Sequence, residues 1–107
     1  MLIVTTNDLP GYKVTQVLGE VNGLTVRTRN VGAQIGASLK ALGGGELRGL
    51  TRQLQESRHE ALTRLTEAAE AMGANAVLAM RYDSNELMTS FQEILAYGTA
   101  VVVEQLA

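Results

Sequence analysis

"ELRGLTRQLQESRHEALTRLTEAAEAM", residues 46–72, is the stretch whose periodicity decides the fold. At about 100° per residue, Leu47, Leu50, Leu54, Ala61, Leu62, Leu65, Ala68, Ala69 and Met72 fall on one stripe. That spacing predicts a single long amphipathic helix. Gly73 stands where a C′ glycine stops such a helix. Arg52, Glu56, Glu60 and Arg64 follow one another at intervals of four on the opposite face. They read as a solvated charge ladder, worth roughly a few tenths of a kcal/mol per favourable pair.

Outward from the helix the chain turns β-rich in both directions. Towards the N-terminus, "VGAQIGASLKAL" (31–42) sets Val31, Ile35, Leu39 and Leu42 at helical spacing, with Gly32 and Gly36 on the same side. This predicts a short helix capped by Asn30 and ended by "GGG" at 43–45. Before it, "YKVTQVLGEVNGLTVRTR" (12–29) is dense in β-branched residues. Either Asn22-Gly23 turns a hairpin there, or the glycines bend one long strand through a bulge. "LIVTT" (2–6) is a short strand ended by the turn cluster "NDLPG". Beyond the long helix, "ANAVLAMRYDS" (74–84) reads as a strand buried at its start. "NELMTSFQEILAYGTAVVVEQL" reads as one more long strand or a strand pair, with a possible bulge at Gly98.

The order predicts an α+β domain spanning 1–107, its antiparallel sheet packed on the long helix, with the short helix beside it. One helix layer covers only one sheet face. An apolar second face would call for a partner, and a symmetric homo-oligomer supplies one.

Composition narrows the function classes. Apolar residues make up 46% of the 107, which excludes a disordered chain. The net charge of −2 and only four aromatics argue against a nucleic-acid footprint, a base-stacking platform or an anionic-membrane binder. There is no cysteine, so disulfide and thiolate chemistry are absent. No apolar run approaches a membrane span, and "MLIVTTNDLPGYK" lacks the form of a signal peptide. The expectation is a cytoplasmic protein.

The glycine cluster beside the helix raises the question of a phosphate loop. "GASLKALGGGELRG" (36–49) lacks the Lys-Ser/Thr that a Walker A loop needs, and Arg48 occupies the last glycine of a G-x-G-x-x-G pattern. Glu46 also puts a carboxylate where an anion would bind. These glycines read as turn and packing positions.

"VTTNDLPGYKV" (4–14), "GEVNGLTVRTRNVGAQIGASLKALGGGEL" (19–47), "ESRHEALTRLTEAAEAMGANAVLAMRYD" (56–83) and "EILAYGTAVVVE" (93–104) together resemble the YbjQ-like family. Its members are small bacterial proteins described as uncharacterised or "putative heavy-metal-binding". "GANAV" after the helix and "AYGTAV" in the last strand are the most specific parts. The resemblance implies a dodecin-like β-α-β-β subunit in a homopentamer, its strands contributing to a central barrel-like arrangement. It also departs from the family. Many relatives carry Gly-Gly-Arg and then a tyrosine and an acid at the helix entrance, where this chain has Gly43-Gly44-Gly45-Glu46 with Leu50 and Thr51 further on. A ligand role tied to that arginine or tyrosine does not carry over, and Arg48 is the nearby candidate for the charge.

Four candidate sites follow. Arg27 and Arg29 share one side of an extended chain beside Asn30, an arrangement that could cradle an anion, face solvent from the strand, or pair with acids on a neighbouring subunit. Arg58 falls among Leu54, Ala61 and Leu65 on the apolar stripe. A charge there must be paired or must snorkel to a boundary: it either makes a salt bridge to a carboxylate such as Asp83, Glu93 or Glu104, within or between subunits, or binds an anion in a subunit-interface cleft. His59 with Glu56 and Glu60 could form half a metal site that rotational symmetry multiplies. The plainer alternative is an exposed histidine on a charged face. Catalysis has little footing, because Ser57 and His59 point to different sides of a helix. The expectation is therefore a non-enzymatic binding or scaffold protein with no cofactor. The alternatives are a metal-binding protein and an enzyme whose site is completed across subunits around Arg58.

Overall fold

A computed structural model describes residues 1–28, 48–87 and 91–107, apart from the side chains of Thr28, Arg48 and Leu50. The short helix over 31–42, the glycines at 43–45, Arg29 and Asn30 lie outside the described residues. Strand β1 is Leu2–Ile3, β2 is Tyr12–Thr28, helix α1 is Arg48–Ala71, β3 is Ala76–Leu87 and β4 is Phe91–Gln105. They form a four-stranded sheet in the order β1-β3-β4-β2. β4 is antiparallel to both of its neighbours, whereas β1 runs parallel to β3. The sheet is thus mixed where an all-antiparallel one was expected.

Residues 12–28 form one strand, not a hairpin. Asn22 pairs with Tyr97 and Gly23 with Ala96, so the ladder runs through Asn-Gly without turning. The glycine answers to the helix instead. A Cβ on Gly23 would collide with the Ala61 carbonyl oxygen and the Leu65 amide nitrogen, because the α1 backbone lies directly on β2 there. Small residues let the layers meet: Ala61 and Ala69 on α1 face Ala96 and Ala100 on β4, with Leu65, Val21, Val77 and Ile94 filling the space between. Full burial of one such aliphatic side chain is worth about 1.5–3 kcal/mol.

The bend in β2 comes lower down. One extra β2 residue is inserted between Val14 and Gln16 and another between Val17 and Gly19, where Gly19 has φ +118°. Gly98 is not a bulge. The irregularity near it lies across the ladder in β3, between Leu78 and Arg81, where Ala79 takes φ +53°. Gly98 leaves room for that bulge, since a Cβ would stand 2.7 Å from Val77 Cγ1 and 2.9 Å from the Leu78 carbonyl oxygen.

"GANAV" makes the joint between helix and sheet. The Gly73 amide donates to the Glu70 carbonyl at 2.9 Å and the Ala74 amide to the Ala69 carbonyl at 3.0 Å, with φ +90° at Gly73. This is a Schellman stop, and its apolar contact is Ala74 joining Ala69 in the core. The Asn75 side chain then imitates a strand: the Val103 amide donates to its Oδ1 at 2.8 Å, and its Nδ2 donates to the Val103 carbonyl at 2.9 Å.

Among the described residues, the face away from the helix is covered at one end only. Val4, Leu9 and Tyr12 fold beneath Ala76, Leu78, Val101 and Val103. Backbone bonds hold this N-terminal segment, among them the Ala79 amide to the Thr6 carbonyl at 2.8 Å and the Met80 amide to the Val4 carbonyl at 2.9 Å. At the other end Leu24, Val26, Leu87, Phe91 and Tyr97 stay exposed. The Cα radius of gyration is 17.5 Å and the extents are 57 × 26 × 17 Å. A compact chain of this length has a radius of gyration of about 13 Å. The long axis matches β2 itself, 17 residues at about 3.3 Å each. No helix among the described residues is long and apolar enough to cross a membrane.

Because the obstruction at Gly23 is helix backbone, Gly23→Ala is expected to cost about 3 kcal/mol, the upper end for overpacking. Gly73→Ala meets open space and only a strained φ, and should cost about 1 kcal/mol. Urea-unfolding midpoints of the two variants test the difference.

Candidate functional site

The charged residues of α1 do not form a free ladder. Arg27, on the helix-facing side of β2, donates from Nη2 to Glu60 Oε2 at 2.6 Å. Arg64 donates from Nη2 to the other carboxylate oxygen, Oε1, at 2.5 Å and from Nη1 to the Leu24 carbonyl at 2.6 Å. Glu56 reaches the edge of the group, its Oε2 lying 4.0 Å from Arg27 Nη1. Glu60 is half-buried where the helix meets β2, so its two oxygens tie helix to strand. The Arg27 hydrogen bond is the main cause holding the Glu60 carboxyl below its ordinary pKa of 4.5, helped by the Arg64 charge and a bond from Thr25, while partial burial opposes it.

The described candidate residues can be placed relative to this arrangement. Arg27 is paired with an acid of its own chain, so its guanidinium fork is committed and does not form a free anion cradle. Arg29 and Asn30 lie outside the described residues; Arg48 begins α1, and its side chain lies outside them too. Glu60 has both oxygens engaged by guanidinium groups. His59 and Glu56 are exposed. Among the described residues no group of three or more His, Cys, Asp or Glu could hold a metal ion. The set His59, Glu56 and Glu60 therefore does not fit a metal within one chain.

Of the alternatives for Arg58, snorkelling to the boundary is the one seen within the chain. Arg58 is exposed, not held among Leu54, Ala61 and Leu65, and it makes no ion pair with Asp83, Glu93 or Glu104 among the described residues. Its guanidinium carbon stands 5.4 Å from the centroid of the half-buried Tyr82 ring. A helical wheel places Arg58 near the apolar stripe, but at that edge the long side chain reaches over an aromatic ring and out to water. Ser57 is buried and its neighbour His59 exposed, so these two do not assemble into a nucleophile and base.

Arg64, Thr25 and Tyr82 escaped the sequence reading as site residues. The only signal for Arg64 was its spacing of four from Glu60, which does not reveal that a strand carbonyl completes its coordination.

Comparison with known proteins is consistent over the whole fold. The YbjQ family model, described as "Putative heavy-metal-binding", matches residues 1–104. A UPF0145 protein of Streptomyces coelicolor is 63% identical over 103 residues, covering 96% of this chain and 97% of that protein. One from Sulfurisphaera tokodaii is 50% identical over 103 residues, 96% of this chain and 90% of its own length. One from Thermotoga maritima is 46% identical over 106 residues, 99% of this chain and all of that protein. The Sulfurisphaera protein is archaeal, so such proteins are not confined to bacteria. A crystal structure of a protein of unknown function of the DUF74 family, from Pediococcus pentosaceus, superposes with a TM-score of 0.67 at 16% identity, covering 97% of this chain and 98% of that one. This last likeness concerns the fold alone.

The lowered Glu60 value fixes a direction for pH dependence. Its stabilisation is complete above pH 4.5 and is lost as pH falls below that value through the folded-state pKa. Thermal midpoints recorded on descending from pH 6 should fall more steeply for the wild type than for Glu60→Gln. Arg58→Met should cost no more than about 1 kcal/mol in urea unfolding, as an exposed cation–π contact does. A larger loss would mean that Arg58 carries a structural ion pair after all.

Proposed function

The chain belongs to the YbjQ family, described as "Putative heavy-metal-binding", and from that premise we propose that it is a non-enzymatic, homo-oligomeric binding or scaffold protein of the cytoplasm. The observation that carries this reading is the half-covered sheet. Five large apolar side chains stand exposed on one end of a face whose other end the N-terminal segment already covers. A monomer with so extended a sheet leaves apolar surface in water that a symmetric partner would remove. Five copies is the number that the family resemblance implies. Native mass spectrometry of the purified protein is expected to report that assembly, and a monomer at micromolar concentration would overturn the proposal.

The family description favours a second reading, metal binding by His59 and Glu56 together with the same residues of neighbouring copies. Both are exposed and lie one helical turn apart, so such a site depends on assembly. Calorimetric titration with zinc should then show binding heat that His59→Ala abolishes. Absence of heat from the assembled wild type would remove this reading and leave the scaffold role.

A further inference from the structure

Asn22 is the only asparagine of the sequence that precedes a glycine, and the pair makes no turn. In an Asn-Gly pair the side-chain amide is open to attack by the next backbone nitrogen, because glycine puts no side chain in the way. The Gly23 nitrogen would lose its proton and bond to Asn22 Cγ, the Cγ–Nδ2 bond would break, and ammonia would leave a five-membered succinimide. Water then opens that ring at either carbonyl. One product is aspartate. The other is isoaspartate, in which the main chain runs through Cβ and is one carbon longer.

The fold holds the attacking nitrogen away from this reaction. Arg64 donates to the Leu24 carbonyl at 2.6 Å from the helix border of β2, so the polar backbone groups of Leu24 point away from β4. By alternation those of Gly23 point toward it. β4 agrees: its Val101 carbonyl and Val103 amide bond to Asn75 on the β3 side, which turns Ala96 toward β2. Gly23 and Ala96 are Cα partners, so they form a hydrogen-bonded pair and the Ala96 carbonyl holds the Gly23 amide proton. Ring closure also requires the Asn22 ψ to leave its extended value, about +135°. That rotation would swing Gly23 off β4, where the Ala61 carbonyl and the Leu65 amide of α1 lie against it. The Asn22 side chain is exposed on the other face, so water has access and only the rotation is denied.

We propose that Asn22 is a deamidation site kept closed by the docking of α1 on β2, and that its isoaspartyl product bars α1 from docking again. Only molecules in which helix and strand have separated can react. The extra main-chain carbon then displaces Gly23 relative to Ala96. Asn22 opposite Tyr97 and Leu24 opposite Leu95 cannot both keep their register across it. No neighbour can replace Gly23 beneath the helix, because the α1 backbone leaves no room for a Cβ. Prolonged opening is thereby made irreversible: chains that linger unfolded leave the refolding pool through one dipeptide.

The test holds the wild type at one mildly alkaline pH and temperature, native in one sample and in guanidinium chloride above its unfolding midpoint in the other. Peptide mapping by mass spectrometry follows Asn22 against Asn85, which lies on β3 and precedes the bulkier Glu86. In the unfolded sample Asn22 should react well ahead of Asn85. In the native sample its loss should be at least about a hundredfold slower, since only opened molecules react. Equal loss of Asn22 in both samples, or an unfolded Asn22 no faster than Asn85, would overturn the site. The aged unfolded sample is then diluted to refold, and its folded fraction is mapped again. That fraction should hold the unreacted asparagine and the aspartate product and be depleted of isoaspartate. Isoaspartate present there at its share of the unfolded pool would overturn the bar to docking. Asn22→Asp separates charge from chain length: the side chain is exposed, so this variant should refold with the wild-type urea midpoint. Its failure to refold would assign the loss to charge and overturn the role of the lengthened main chain.

Discussion

The contact on which the structure depends is the seating of the α1 backbone on Gly23. A helix and a sheet ordinarily keep a full layer of side chains between them. Here the Ala61 carbonyl and the Leu65 amide occupy the space that a Cβ on β2 would need. This forces alanine at 61 and 69 and favours small residues at 96 and 100, because each larger side chain would lift the helix off the strand. It also explains why the Asn-Gly pair makes no turn. A hairpin at that point would remove the strand on which the helix sits.

Once the helix lies so close, the polar residues at its border are drawn into the joint. Glu60 cannot remain a freely solvated acid when Arg27 rises from the strand beneath it and Arg64 reaches across to the Leu24 carbonyl. The group is a staple between layers, with both carboxylate oxygens and the Arg27 fork engaged within the chain. Arg58, two residues before Glu60 and on the opposite border of the helix, has Tyr82 as its partner and keeps its charge in water. The same geometry that closes one side of the sheet leaves the other half-open among the described residues. The N-terminal segment is long enough to cover Ala76, Leu78, Val101 and Val103, and it reaches no further.

Much of the fold was legible in the sequence. The 3.6-residue stripe over 46–72 marked α1 and its end to within one residue, and Gly73 marked its stop, because an amphipathic helix and a left-handed C′ position each leave a local signature. The β-rich character of 12–29, 74–84 and the last stretch was equally plain. The candidate site was less legible. His59, Glu56 and Glu60 share a helix surface by spacing alone, but spacing does not reveal that two arginines occupy Glu60. For Arg58 a helical wheel left pairing and snorkelling both open, because it gives a direction and not the reach of a long side chain beyond the edge of the core.

The sequence by itself determined the elements, their order and the stop between α1 and β3, all of which rest on interactions within a few residues. Only the tertiary structure decided that 12–28 is one strand, that β1 joins β3 in parallel, that Gly23 serves the helix and that Arg27 belongs to Glu60. Each of these depends on which backbone lies against which across separations of 33 residues and more. Residue type and local period carry no record of such pairings, because they are set by the packing of the two layers as a whole.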